Sequence, residues 1–181
     1  TLGVLVEVDI GHHRCGVQPF EEALAMAHQV HSAVGLSFMG LMGYDGHCTL
    51  KVTASERSAL SLQANRLLAD TRFFIERAGL PVSIVSASGT FTHRYATTVA
   101  GITEIQAGSY LLMDTAFAQH GVDDFEPTLT VLATVTGRHA RVTQSELAIV
   151  DMGRKSMDIF LGLPQVKALP GMQVLGLSQE H

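Results

Sequence analysis

The stretch Val4-Leu5-Val6-Glu7-Val8-Asp9-Ile10-Gly11-His12-His13-Arg14-Cys15-Gly16 decides the plan of the fold. Its first five residues are largely β-branched and apolar, and glycines follow at 11 and 16, so it reads as a buried strand running into a polar loop. Pro19 then stands where a first helical residue belongs, and Glu21 and Glu22 fall in the first turn, where the helix dipole favours anions. Leu24, Ala27, His28 and His31 continue at helical spacing, with Gly35 as the C-terminal cap and the two histidines on the helix surface.

The same unit recurs downstream. Leu36 to Met42 reads as a second strand, and a polar loop from Gly43 to Leu50 leads to Thr53-Ala54-Ser55-Glu56, a capping box. The helix it opens carries Leu60, Leu67, Leu68, Phe74 and Ile75 and ends near Gly79. Leu80 to Val85 is a third strand, Ser86 to Thr90 a loop, Tyr95 to Ala100 a short helix and Glu104 to Gln106 a fourth strand. Strands that are apolar throughout are covered on both faces, and βαβ units pack them as a parallel sheet with right-handed crossovers. The fold class is α/β, either an open doubly wound sheet or part of a (β/α)8 barrel, and periodicity does not choose between them.

The texture changes after residue 120. Thr128 to Thr136 is long and β-branched, Arg141 to Asp151 is strand-like around Gln144-Ser145-Glu146, and no long helix separates them. Antiparallel strands of a second, mostly β domain are expected over 121–181, following an α/β domain over 1–120, with Gly121 to Pro127 at the boundary.

Composition sets limits. In 181 residues the formal net charge is -5 and hydrophobic residues make up 46%, enough apolar material for a sizeable core. With no basic stripe and no interleaved aromatic platform, nucleic acid is not an expected partner. No apolar run reaches the roughly 18 residues that span a bilayer. Cys15 and Cys48 do not make a disulfide framework; both are expected as free thiols in a cytoplasmic protein. The chain opens almost at once on an apolar run and stops just after another, Val174 to Leu177, so both ends are expected to be cuts through a larger fold.

In parallel α/β folds the chemistry sits in loops at the C-terminal ends of strands. Four polar loops qualify here: Asp9 to Gly16, Gly43 to His47, Ser86 to Thr90 and Gln106 to Tyr110. The last two carry Gly89-Thr90 and Gly108-Ser109, where glycine lets backbone N–H groups approach an anion and the hydroxyls add donors; turns use the same residues. A nucleotide phosphate loop is not indicated, because Gly153-Arg154-Lys155-Ser156 imitates only the tail of one. Arg14 has the rigid fork that fixes an anionic or phenolic oxygen, or else makes a surface ion pair. Tyr44 suits stacking on a planar ligand or a place in the core. Asp45 and His47 are spaced as metal ligands sometimes are, but are expected in a solvated loop. His12 and His13 are adjacent, so at most one points into a site.

Taken together, these strings resemble the D-threonine aldolase/D-serine dehydratase family. Val6-Glu7-Val8-Asp9-Ile10-Gly11-His12-His13-Arg14-Cys15-Gly16-Val17 is similar to its E-V-D-x-G-x-x-R-x-G-V segment, and Gly40-Leu41-Met42-Gly43-Tyr44-Asp45-Gly46-His47 to its G-L-x-x-Y-[ED]-G-H segment. Ser88-Gly89-Thr90 and Thr103 to Tyr110 resemble its two phosphate segments, Asp151 to Ser156 its D-x-G-[RK]-K-[AS] motif, and Gln179-Glu180-His181 the start of E-E-H-G. The matches are co-linear over nearly the whole chain.

The resemblance implies a pyridoxal 5'-phosphate (PLP) enzyme with an alanine-racemase-like (β/α)8 barrel followed by a β domain, dimeric at full length. On that basis Ser88, Gly89, Thr90, Gly108 and Ser109 hold the cofactor phosphate. Arg14 approaches the phenolic oxygen, Tyr44 lies against the ring, and Gln106 faces the pyridine nitrogen as a neutral partner. His181 is a ligand of a divalent metal, zinc or manganese. The family's Schiff-base lysine lies in an R-P-H-x-K-T-H-K segment that is absent here, and Lys51, Lys155 and Lys167 have other contexts. This chain alone is therefore expected to be inactive.

The implied activity is metal-assisted cleavage of a β-hydroxy-D-amino acid to glycine and an aldehyde. The alternative is a D-serine or 3-hydroxy-D-aspartate dehydratase giving a keto acid and ammonia. A non-catalytic PLP-binding or carrier protein is the alternative from another class. The absent lysine permits it, and the His181 motif argues against it.

Overall fold

The computed structural model describes residues 1–49, 53–140, 146–167 and 169–181. Leu50 and Lys51, and the first five residues of the expected strand Arg141 to Asp151, lie outside them. The chain divides into two compact units, Thr1–Tyr110 and Leu111–His181.

In the first unit, β1 (Leu2–Glu7), β2 (Leu36–Gly43), β3 (Ile84–Ala87) and β4 (Glu104–Ile105) form a parallel sheet in the order β1-β2-β3-β4. An order that follows the sequence decides what periodicity left open. Each right-handed crossover advances in the same direction, so the helices fall on one face, as in a barrel, whereas a doubly wound sheet reverses order. Helices α1 (Glu21–Ser32) and α2 (Ala54–Arg77) touch each other accordingly, Phe20 meeting Phe74 edge-on at 5.7 Å between ring centroids.

The core lies between that sheet and those helices. Val6, Val8, Phe38, Leu41, Val85 and Ala87 pack with Ala23, Ala27 and Val30 of α1 and Ala64, Leu68 and Ile75 of α2. Burying a side chain such as Leu68 contributes about 2 kcal/mol. Gly40 is dictated by the sheet: it follows a bulge at Met39, has φ +149°, and a Cβ there would lie 1.9 Å from the Ile84 carbonyl oxygen.

Several boundaries differ from expectation. Helix α1 starts at Glu21 with Phe20 as its N-cap, so Pro19 precedes the helix. Its C-cap is Ala33, and Gly35 instead turns the chain into β2 while its carbonyl accepts from Leu2 N at 2.8 Å. The third strand runs Ile84–Ala87 rather than 80–85: Leu80 and Val82 are buried, but Pro81 has no N–H to give a ladder. The short helix α3 is His93–Ala96, two residues earlier than expected, and β4 stops one residue short of Gln106. The capping box is present as read, Thr53 Oγ1 accepting from Glu56 N at 3.3 Å and Glu56 Oε2 from Thr53 N at 2.9 Å.

The second unit holds α4 (Thr115–Gln119), N-capped by Asp114, and an antiparallel pair, β5 (Val135–Ala140) with β6 (Glu146–Val150). The strand expected over Thr128 to Thr136 begins only at Val135. Residues 128–134 have strand propensity but no partner strand among the described residues, and pairing is what propensity expresses. No helix among the described residues is long and apolar enough to cross a membrane.

Candidate active site

Because β1 to β4 are parallel, the loops that follow them share one end of the sheet. The first loop is pinched at its base, where Asp9 N donates to Val17 O and Val17 N to Glu7 O, both at 2.9 Å. Gly16 makes the pinch possible: at φ +101° its missing Cβ would stand 2.7 Å from Asp9 N. Inside the loop, Asp9 Oδ1 accepts from Gly11 N and His13 N at 3.0 Å each, and Asp9 Oδ2 pairs with His13 Nδ1 at 2.8 Å. Burial pushes the Asp9 carboxyl up, but those hydrogen bonds and the nearby His13 outweigh it and hold it down at about 2. His13 is thereby committed to Asp9 at the surface, and His12 alone turns to the site, its ring edge-on to Tyr44 at 5.4 Å between centroids.

Tyr44 gathers three of the four loops. The guanidinium carbon of Arg14 lies 5.4 Å from its ring centroid. A Cβ on Gly89 would come within 3.3 Å of Tyr44 Cε2, so Gly89 is the residue that lets the third loop close on the ring. The fourth loop joins through Thr90, whose Oγ1 accepts from Tyr110 N at 3.2 Å. Gln106 sits at the end of β4 and donates through Nε2 to Ser86 Oγ at 2.9 Å, which in turn donates to Glu104 Oε1 at 2.5 Å. Among the described residues, no acceptor takes the N–H of Gly89, Thr90, Gly108 or Ser109. Four unclaimed donors in two neighbouring turns suit an anion.

Asp45 overturns the expectation of a solvated loop: it is 1% exposed. Its Oδ2 accepts from Ser61 Oγ at 2.7 Å and Asn65 Nδ2 at 3.1 Å, both on α2, and its Oδ1 from Thr92 Oγ1 at 2.8 Å. Thr92 Oγ1 also meets Ser88 Oγ at 2.6 Å. His47 is half-buried rather than solvated, its ring stacked 6.4 Å from that of His12 between centroids. Burial depresses the His47 pKa and favours the neutral ring, and its Nδ1 is buried with no hydrogen-bond partner among the described residues. Burial, reinforced by Asp45, pushes the Cys48 thiol up to about 12. Both cysteines are free, Cys15 exposed and Cys48 buried.

Ser61, Asn65 and Thr92 carry no signal in the family strings, whereas Asp45 stands at the [ED] position of the second string. Ser61 and Asn65 do carry one in the helix: they stand at i and i+4 in line with Leu68, polar residues on what becomes the buried stripe of α2.

His181 belongs to the second unit and is exposed. There Arg154 N donates to Ser178 O at 2.9 Å and Lys155 N to Gln179 O at 3.1 Å, so the segments 151–156 and 178–181 meet. A Cβ on Gly153 would lie 2.6 Å from His181 N. Among the described residues, no group of three His, Cys, Asp or Glu side chains could hold a metal ion.

Known proteins bear on this arrangement. The chain is 33% identical over 183 residues to the D-threonine aldolase of an Arthrobacter species, covering 99% of this chain and 47% of that protein. It is 30% identical over 195 residues to the D-threo-3-hydroxyaspartate dehydratase of Delftia sp. strain HT23, covering 98% and 50%. The crystal structure of D-threonine aldolase from Filomicrobium marinum superposes with a TM-score of 0.87 at 35% identity, covering all of this chain and 48% of that one. The chain thus spans about half the length of the curated relatives it matches. The alanine racemase N-terminal domain family matches residues 1–116, and with the parallel sheet of the first unit and the separate antiparallel pair, the chain belongs to that family.

Proposed function

We propose that the protein is a PLP-dependent lyase acting on β-hydroxy-D-amino acids, of the D-threonine aldolase type. One observation carries the cofactor: Arg14, Tyr44 and Gly89 converge, with the unclaimed N–H groups of Gly89, Thr90, Gly108 and Ser109 on the adjoining turns. A phosphate fits those turns, since glycine at 89 and 108 leaves backbone approachable and Thr90 Oγ1, which accepts from Tyr110, keeps its own proton to donate. PLP, when bound, supplies the electron sink for a carbanion at the substrate Cα.

This chain's residues then have separable tasks. Gly89, Thr90, Gly108 and Ser109 hold the phosphate by backbone donors, and Ser88 sets the turn. Arg14 donates from its fork to the phenolic oxygen and keeps it anionic. Tyr44 packs against the ring and excludes water from one side. Gln106, a neutral amide already bound to Ser86, leaves the pyridine nitrogen without a charged partner and so tempers the electron sink. His181 is assigned to a divalent metal as one ligand; zinc takes three or four from a protein, and the described residues alone offer no group of three.

In the retro-aldol direction the β-hydroxyl proton leaves, the Cα–Cβ bond breaks, an aldehyde departs and Cα is reprotonated to give glycine. The likeness to a dehydratase favours a second reading, in which the Cα proton is removed, hydroxide leaves Cβ and the product hydrolyses to a keto acid and ammonia. The full-length protein is to be incubated separately with D-threonine and with D-serine. Glycine plus acetaldehyde supports the aldolase, keto acid plus ammonia the dehydratase, and no turnover of either rejects both.

A further inference from the structure

The cluster around Asp45 has a direction built into it. A carboxylate accepts only, so the single proton of the Thr92 hydroxyl goes to Asp45 Oδ1 at 2.8 Å. Thr92 Oγ1 then has no proton for Ser88, and in their 2.6 Å contact Ser88 must be the donor. The relay runs Ser88 to Thr92 to Asp45, and it commits the Ser88 proton inward, away from any ligand. Ser88 and Asp45 are both buried, as is Thr92, so no ligand reaches them directly.

Ser88 needs such a tether. Its φ is +66°, left-handed backbone that an L-residue keeps only where its surroundings enforce it. From that conformation the chain passes to Gly89 and Thr90, whose N–H groups are unclaimed among the described residues. Asp45 is itself anchored from the other side: Ser61 Oγ and Asn65 Nδ2 donate to its Oδ2, and both come from the long helix α2. Two bonds to a rigid helix and one to the turn make Asp45 a strut between them.

We propose that Asp45 is a positioning residue for phosphate binding, holding Ser88 in its left-handed conformation through Thr92 so that Gly89 and Thr90 present their N–H groups. This rests on the reading of the 88–90 turn as the phosphate site. The Ser88 hydroxyl serves the turn's geometry, and its contribution to the cofactor passes through backbone.

The test uses the full-length apoprotein and equilibrium binding of PLP, of pyridoxal, which lacks the phosphate, and of inorganic phosphate as a competitor. Asp45→Asn should weaken PLP binding roughly tenfold or more, the scale of one hydrogen bond to a charged group, and change pyridoxal binding less than about twofold. Ser88→Gly in the Asp45→Asn background should recover most of that loss, because glycine takes φ +66° unaided. Equal losses for PLP and pyridoxal, or a loss that Ser88→Gly leaves intact, overturn the proposal. Should Asp45→Asn not fold, Thr92→Val takes its place, with Thr92→Ser, which keeps the hydroxyl, binding as wild type does. An unchanged PLP affinity in Thr92→Val overturns the relay. Wild-type protein that binds PLP no tighter than pyridoxal, and is not competed by phosphate, rejects the phosphate site itself and the proposal with it, before any variant is made.

Discussion

The guanidinium of Arg14 and the ring of Tyr44 lie 5.4 Å apart, from guanidinium carbon to ring centroid, although they are thirty positions apart in sequence with a helix and a strand between them. The contact depends on β1 and β2 being parallel neighbours, so that both loops leave the same end. A cation over an aromatic face at an exposed site is worth about 0.5–1 kcal/mol. In a double-mutant cycle on denaturant stability, Arg14→Ala and Tyr44→Ala should couple by roughly that amount. Additive effects would remove the contact from the site. Arg14→Lys, which loses the fork, should lower PLP affinity in the full-length protein about as much as Arg14→Ala does.

Two glycines separate scaffold from site. In Gly40→Ala the new methyl lands on backbone, 1.9 Å from Ile84 O, and neither strand can move without breaking the sheet. A loss of about 3 kcal/mol or more, or failure to fold, is expected in chemical denaturation. In Gly89→Ala the methyl meets only Tyr44 Cε2, at 3.3 Å, and a side-chain shift of a few tenths of an ångström relieves it. Stability should change by under about 1 kcal/mol while cofactor affinity falls, because the displaced ring is the one proposed to pack on the cofactor. A Gly89→Ala protein that loses stability as Gly40→Ala does would argue that the turn is scaffold.

How far the sequence alone reaches is clearest in these elements. The β1 loop and the capping box at Thr53 are local features, each decided by residues within a few positions of one another, and both are found where the pattern puts them. The third strand lies at Ile84–Ala87 instead of Leu80 to Val85 because Leu80 and Val82 are buried without pairing, and burial and pairing write the same apolar signature. The choice of barrel over open sheet lay in strand order, a long-range property that periodicity does not carry. Asp45 departs from expectation for a related reason. A Gly-flanked acid reads as solvated, and its burial is created by Ser61, Asn65 and Thr92, which are 16, 20 and 47 residues away. The resemblance supplied Tyr44 and Gly89 as separate motif members, and their contact is a product of the fold.

The two cysteines should react on different terms. Cys15 is exposed on the first loop, whereas Cys48 is fully buried, with its thiol pushed up to about 12 by burial first and the Asp45 charge second. A thiol disulfide reagent near pH 8 should modify Cys15 quickly and Cys48 only as the protein unfolds. Folding holds the Cys48 proton more tightly than the unfolded chain does. Its contribution to stability is therefore complete below pH 9.0 and is lost as the pH rises towards about 12. Peptide mapping after timed labelling, with and without denaturant, identifies each site. Equal native rates would contradict the burial of Cys48.

Asp9 gives the opposite pH dependence. In the unfolded chain its carboxyl titrates near 3.8. In the folded loop the donors Gly11 N, His13 N and His13 Nδ1 overcome burial and hold it at about 2. The folded state therefore prefers the ionised form. Its contribution is complete above the unfolded value and disappears as the pH falls from about 4 to about 2. The Asp9 side chain is only 8% exposed, but its partner His13 is 82% exposed, so solvent screening of that partner reduces the effect to roughly 1 kcal/mol. Asp9→Asn keeps the shape but not the charge, and it should be less stable than wild type at pH 6, with the gap closing as the pH falls towards 2. Urea midpoints for both proteins across that range measure the gap. A difference that stays constant with pH would show that the loop depends on the side chain's shape rather than its ionisation.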